Sequence, residues 1–199
     1  MSCDGFRHDG KIKIGRGKLS NRESMSLPVS FVKGSRSMEY IAEIHSLSSS
    51  FYTDYPSTNY PEISVKKGRP YSCLLIEYIN DLIICIPFRS HVRHKYAYHF
   101  KNSARAKQCQ SGLDYTKIIL IKNSKYLDTT TAAVVDQDEY KETIQNLPRI
   151  VKEITDYIES YRDDLNGVLK LHHKEWQRRY GMSTLPYFDE FLRDTITEE

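Results

Sequence analysis

Two apolar runs separated by two turn-forming residues constrain this chain most. They are YSCLLIEYI (71–79) and LIICIPF (82–88), with Asn80-Asp81 between them. Aliphatic and β-branched residues in runs of this length predict strands, and Asn-Asp between them predicts a hairpin with a tight two-residue turn. The runs are apolar at nearly every position rather than at alternate ones. Both strands are therefore expected to be central, covered on both faces.

Weaker signals surround this hairpin. EYIAEI (39–44) alternates enough for a strand, and LSSSFYTDYP (47–56) fits a short helix or turn before Pro56. Residues 56–70 carry three prolines and read as a loop, 91–112 as a polar, basic, irregular stretch, and KIILI (117–121) as a buried strand, with one more strand within 126–135. The period then changes. Residues 138–146 predict a short helix. Pro148 opens a longer one with Ile150, Val151, Ile154, Tyr157, Ile158 and Tyr161 on one face, ended by Asn166-Gly167. Residues 174–180 and 185–192 predict two more short helices. Strands first and helices last imply an α+β fold, a small curved antiparallel sheet or barrel with helices packed on one side.

Residues 1–37 are polar, basic and rich in Gly and Ser, without period, and read as a disordered basic tail ahead of a domain spanning 38–199. Met38 offers a second start, so the tail reads equally as an over-long start. No internal repeat is present. The longest strongly apolar run, 82–88, is far short of the roughly 20 residues of a membrane-spanning helix, and the first 30 residues contain no signal-peptide core. The four cysteines (3, 73, 85, 109) form no CxxC and read as reduced thiols, mostly core fillers. The expected location is cytoplasmic.

The near-neutral total, +3, conceals an uneven distribution. Residues 66–125 hold 12 basic and 3 acidic side chains, net +9, while 38–65 are net −4 and 126–199 net −7. A basic block of this size fits a polyanion such as nucleic acid, or a surface that folding mixes with the acidic flanks.

The chemistry-bearing stretch follows the second hairpin strand: Arg89, Ser90, His91, Val92, Arg93, His94 and Lys95, with Tyr96, Tyr98, His99 and Phe100 behind it. Side chains leaving a rigid strand at a sheet rim occupy a common place for sites. Metal-free cleavage of an RNA phosphodiester needs a 2′-hydroxyl deprotonated, charge on the phosphorane stabilised and the 5′-oxygen protonated. Arg supplies planar donors to phosphate, His titrates near neutrality, Ser can donate to the phosphate, and Tyr96 and Tyr98 offer faces for unpaired bases. The plainer reading is a solvated or merely phosphate-binding loop. A metal set from His91, His94 and His99 or Cys109 lacks a nearby carboxylate in sequence, and the density of arginine opposes it, so no metal or other cofactor is expected. A serine hydrolase would need a G-x-S-x-G elbow, which is absent.

From Met38 onward the stretches FYTDYPSTNYPEI, GRPYSCLLIEY, IPFRSHVRHKYAY, SGLDYTKIILI, Tyr126-Leu127-Asp128 and STLPYF occur in this order. In these the chain resembles the endoribonuclease toxins of type III toxin–antitoxin systems, most closely the TenpN branch, relatives of ToxN and AbiQ. The resemblance implies a Kid/CcdB-like fold and metal-independent RNA cleavage to 2′,3′-cyclic phosphate and 5′-OH ends, in phage defence. It also implies inhibition by a small repeat-derived RNA pseudoknot within a heteromeric RNA–protein ring, with neither DNA nor membrane as partner. It assigns Ser90 as the active-site serine, Arg93 as the basic residue after it and, more loosely, Arg69 as the basic residue leading into the hairpin. The ToxN pattern has Thr-Ser followed by Pro and Lys where this chain has Arg89-Ser90-His91, with Val92 before Arg93.

The joint expectation is that Ser90 and Arg93 hold the phosphate, His91 or His94 moves protons, and Arg69, Arg89 and Lys95, with Tyr96 and Tyr98, bind RNA. The competing expectations are a non-catalytic RNA-binding module and a protein-targeting, gyrase-poison-like toxin on the same fold.

Overall fold

The computed structural model describes residues 42–63 and 71–193, together with three strands at 11–14, 29–32 and 37–40. The chain is α+β, with an antiparallel sheet and several helices. Eleven strands lie among the described residues: β1 (Lys11–Ile14), β2 (Val29–Val32), β3 (Ser37–Tyr40), β4 (Ala42–Leu47), β5 (Ser72–Glu77), β6 (Ile83–Arg89), β7 (Ala97–His99), β8 (Gly112–Asp114), β9 (Ile119–Ile121), β10 (Leu127–Asp128) and β11 (Ala133–Asp136). The helices are α1 (Ser49–Asp54), α2 (Ala104–Cys109), α3 (Gln137–Gln145), α4 (Leu147–Leu165), α5 (His173–Tyr180) and α6 (Asp189–Leu192).

The apolar hairpin is the centre of the main sheet. It runs β10–β4–β5–β6–β8–β7, every pairing antiparallel, and β9 shares the outer edge of β6 with β8. β9 pairs Ile83–Cys85, the first half of β6, and β8 pairs Phe88–Arg89, its end. Cys73, Leu74, Ile76, Ile84, Cys85 and Ile86 have almost no exposed surface, as two-faced apolar runs require. The hairpin loop is longer than the two residues expected. Tyr78 N–H donates to Leu82 O at 2.7 Å around a turn at 79–81, and Asp81 takes the left-handed conformation (φ 60°). This is a three-residue hairpin loop, whose last position requires a positive φ that Asp tolerates.

Two short strands fall inside the segment read as a disordered tail. β1 pairs with β11 and β2 with β3, the latter across the expected boundary at 37/38. Four-residue strands are too short to show a period. The rest of 1–37 lies outside the described residues.

α4 buries Leu147 and the six residues its spacing singled out. It ends as the Asn-Gly pair demands: Gly167 has φ 75°, Val168 N–H donates to Asp163 O at 2.8 Å and Gly167 N–H to Asp164 O at 3.2 Å. The largest departure is in 91–112, read as irregular. It contains β7, α2 and the start of β8. Two buried glutamates of α3 organise it. Glu142 accepts from Tyr98 Oη and from the N–H groups of Lys101 and Asn102, and Glu139 grips α2. Acidic residues of the last third therefore fold onto the basic centre. No helix among the described residues is long and apolar enough to cross a membrane.

Candidate functional site

The strand β6 ends at Arg89, whose backbone pairs with Gly112 of β8. The loop that follows is tied to the end of α2. His91 N–H donates to Cys109 O at 2.6 Å and Val92 N–H to Gln110 O at 2.9 Å, while Val92 is buried as the loop's apolar anchor. His91 has φ 61°, so the chain turns sharply after Ser90. Alternation about that turn divides the basic motif into three environments.

Arg89 and His94 converge on Asp114 of β8. The Arg89 guanidinium donates to Asp114 Oδ2 at 2.7 Å, and His94 Nε2 lies 3.2 Å from Oδ1. Thr116 adds its N–H and hydroxyl to Oδ1 at 3.0 and 2.7 Å. Burial pushes the Asp114 carboxyl up, but His94, Thr116 and Arg89 together hold it below the ordinary range, so it is ionised. Nδ1 of His94 is enclosed and makes no hydrogen bond. Lys117 lies beyond: burial first and Arg89 second lower its pKa.

Ser90 meets a different cluster. Its half-buried Oγ accepts from Arg105 Nε at 3.2 Å. Arg105 also donates to Glu139 Oε2 at 3.0 Å, and the other oxygen of Glu139 accepts from Ser103 and Ser111. Glu139 has no exposed surface. Burial raises its pKa more than Arg105 and the two serines lower it. Since Arg105 occupies a lone pair of Ser90, the serine's own O–H remains a donor.

The third environment is a cleft of about 610 Å³. His91 and Arg93 enter it from the loop, His99 from β7, Lys107 and Gln108 from α2, and Gln110 from the turn after α2. Among the described residues, no acidic side chain lines it. His91, Arg93, Lys107, Gln108 and Gln110 are exposed and His99 is half-buried. His99 Nε2 lies 2.9 Å from the carbonyl oxygen of His94. Gly112, opposite His99 in the register, lets the strands close: a Cβ there would stand 2.5 Å from Tyr98 O.

The expected motif is thus partly assembled. His91 and Arg93 share the cleft, Ser90 precedes them on the same turn, and Lys95 is exposed over the Tyr96 ring. Arg89, expected to bind RNA, and His94, expected to move protons, both face Asp114, which lies too far along the sequence to be foreseen. Tyr98 is a further correction. It is buried at 5% exposure, with its hydroxyl 3.2 Å from Glu142 and Arg149 over its ring, so it offers no face to a base. Tyr96 is half-buried against Tyr157, with Arg179 above it and Lys95 at 5.3 Å from its ring centre. Tyr96 and Tyr98 lie two apart on a face that α4 covers. His99, of opposite parity, points to the cleft. Arg69 lies outside the described residues.

Sequence reasoning missed Arg105, Lys107, Asp114 and Glu139 and treated His99 only as an aromatic face or metal ligand. Among the described residues, no group of three or more His, Cys, Asp or Glu is arranged to hold a metal ion. Cys73 and Cys85 are free, buried and pushed up by burial, so neither is a thiolate nucleophile.

Compared with protein-family models, with curated proteins and with solved structures, the chain returns no match.

Proposed function

We propose that this chain is a metal-independent endoribonuclease toxin of the type III toxin–antitoxin kind, on a Kid/CcdB-like sheet, acting in the cytoplasm. The observation that carries the reading is the cleft at the end of β6, which gathers His91, Arg93, His99 and Lys107 with no carboxylate among its described lining residues. A phosphodiester suits such a site: the guanidinium and ammonium stabilise the anionic phosphorane, and imidazoles move protons at neutral pH.

In this reading Arg93 holds the non-bridging oxygens. Ser90, oriented by Arg105, donates its hydroxyl to the same phosphate. Cleavage proceeds by attack of the ribose 2′-oxygen on phosphorus and departure of the 5′-oxygen, leaving a 2′,3′-cyclic phosphate and a 5′-OH. A repeat-derived antitoxin RNA, a polyanion like the substrate, inhibits by filling the cleft, in a closed RNA–protein ring.

One observation favours a non-catalytic RNA-binding module. Arg89 and His94, two of the motif's five basic side chains, serve Asp114 and not the cleft. Expression of the chain with its upstream repeat DNA, followed by sequencing of the RNA that copurifies, tests the partner. Growth arrest lost in both Ser90→Ala and Arg93→Ala is the expected outcome for the nuclease. Arrest that persists in both points to a protein-targeting toxin.

A further inference from the structure

His99 shares the cleft with His91, and neither imidazole has yet been given a step of the reaction. The His99 ring is fixed. Nε2 lies 2.9 Å from the carbonyl oxygen of His94, which can only accept, so Nε2 carries the hydrogen. The neutral ring then presents Nδ1 with its lone pair free to take a proton. His94, by contrast, directs Nε2 to Asp114 and has its Nδ1 enclosed. Among the described residues, the imidazoles lining the cleft are therefore His91 and His99, with Arg93 and Lys107 as its cations.

We propose that His99 and His91 are the base and the acid of the cleft, acting on the 2′-hydroxyl and 5′-oxygen of a ribonucleotide linkage. The assignment rests on the nuclease reading and places His99 where the sequence put His94. His99 Nδ1 takes the 2′-hydroxyl proton as the 2′-oxygen bonds to phosphorus. The bond from phosphorus to the 5′-oxygen breaks, and protonated His91 gives its proton to that oxygen. One proton enters the protein and one leaves it, no water is consumed, and the cyclic phosphate keeps the charge of the diester. His94 is a positioning residue, holding His99 through its main-chain carbonyl. That contact survives any change of its side chain that keeps the loop folded.

The test compares wild type, His99→Gln, His91→Asn and His94→Gln on an RNA oligonucleotide and on the same oligonucleotide with sulfur in place of the scissile 5′-oxygen. Gln at 99 retains a donor for the His94 carbonyl, and Asn at 91 accepts a left-handed turn, so both variants should keep the fold and their RNA affinity. A thiolate leaves without a proton. His91→Asn is expected to lose about 10²–10⁴-fold in kcat on the ordinary RNA and to recover most of it on the sulfur substrate, whereas His99→Gln loses a similar factor on both. His94→Gln is expected to stay within about tenfold of wild type. Wild-type cleavage with His99→Gln within about threefold of it overturns the assignment alone, as does a loss in His94→Gln equal to that in His99→Gln. Absence of cleavage by wild type removes the nuclease reading and the assignment with it.

Discussion

Arg105 Nε lies 3.2 Å from Ser90 Oγ, and the same guanidinium reaches Glu139 Oε2 at 3.0 Å. The serine one residue before the cleft's His91 is thus oriented by an arginine that a fully buried carboxylate holds in place. Glu139 comes from α3, beyond the basic segment, and its two serine partners flank α2.

Removal of Arg105 should expose that dependence. Arg105→Gln leaves Glu139 buried without its cation, at an expected loss of about 3 kcal/mol at neutral pH. Glu139 is held above the usual carboxyl range, so its ionisation opposes folding. The stability of the variant should therefore fall as pH rises from about 4.3, the ordinary Glu value, through the raised value. Thermal unfolding across this range checks the sign, and Glu139→Gln added to Arg105→Gln should flatten the slope.

Asp114 should behave in the opposite sense. Its folded pKa is depressed, so its contribution is complete above about 3.9, the unfolded Asp value, and is lost as pH falls through the lower folded value. Asp114→Asn, which leaves Arg89 and His94 without a carboxylate, is expected to cost about 2 kcal/mol at pH 7. The difference from wild type should shrink in acid, and denaturant unfolding at both pH values measures it.

Gly112 sets how closely β7 and β8 approach beside His99. A methyl there meets Tyr98 O, a main-chain atom that cannot rotate away. Gly112→Ala should cost about 1–3 kcal/mol and lower the melting temperature. Gly167→Ala, where a methyl meets nothing within 4 Å but φ is 75°, should cost only about 1 kcal/mol.

RNA affinity should distinguish cleft residues from buried ones. Arg93→Ala is expected to weaken binding and to reduce the dependence of log K on log salt by about 1. Tyr98→Phe should leave binding unchanged and remove about 1 kcal/mol of stability through its bond to Glu142. Fluorescence anisotropy at several salt concentrations reads both.

The central hairpin and α4 were legible because their burial repeats in the sequence, as unbroken apolar runs in one and a 3.6-residue stripe in the other. α2 was not: in ARAKQC only Ala106 and Cys109 are buried, too few for a period. The loop's place at the sheet rim followed from the end of an apolar strand. The partners of Arg89, His94 and Ser90 did not. Asp114, Arg105 and Glu139 are brought in by strand pairing and helix packing, which a string of basic residues does not encode. Tyr98 was misread for the same reason: alternation gives its parity, but which face α4 covers is decided by tertiary packing.

The most direct measurement incubates the purified full-length chain with RNA in the presence of EDTA and maps the new ends. Wild type should produce 2′,3′-cyclic phosphate and 5′-OH termini, with cleavage reduced at least about 100-fold in Ser90→Ala and in Arg93→Ala. Intact RNA, 3′-OH and 5′-phosphate ends, or undiminished cleavage by both variants would contradict the account.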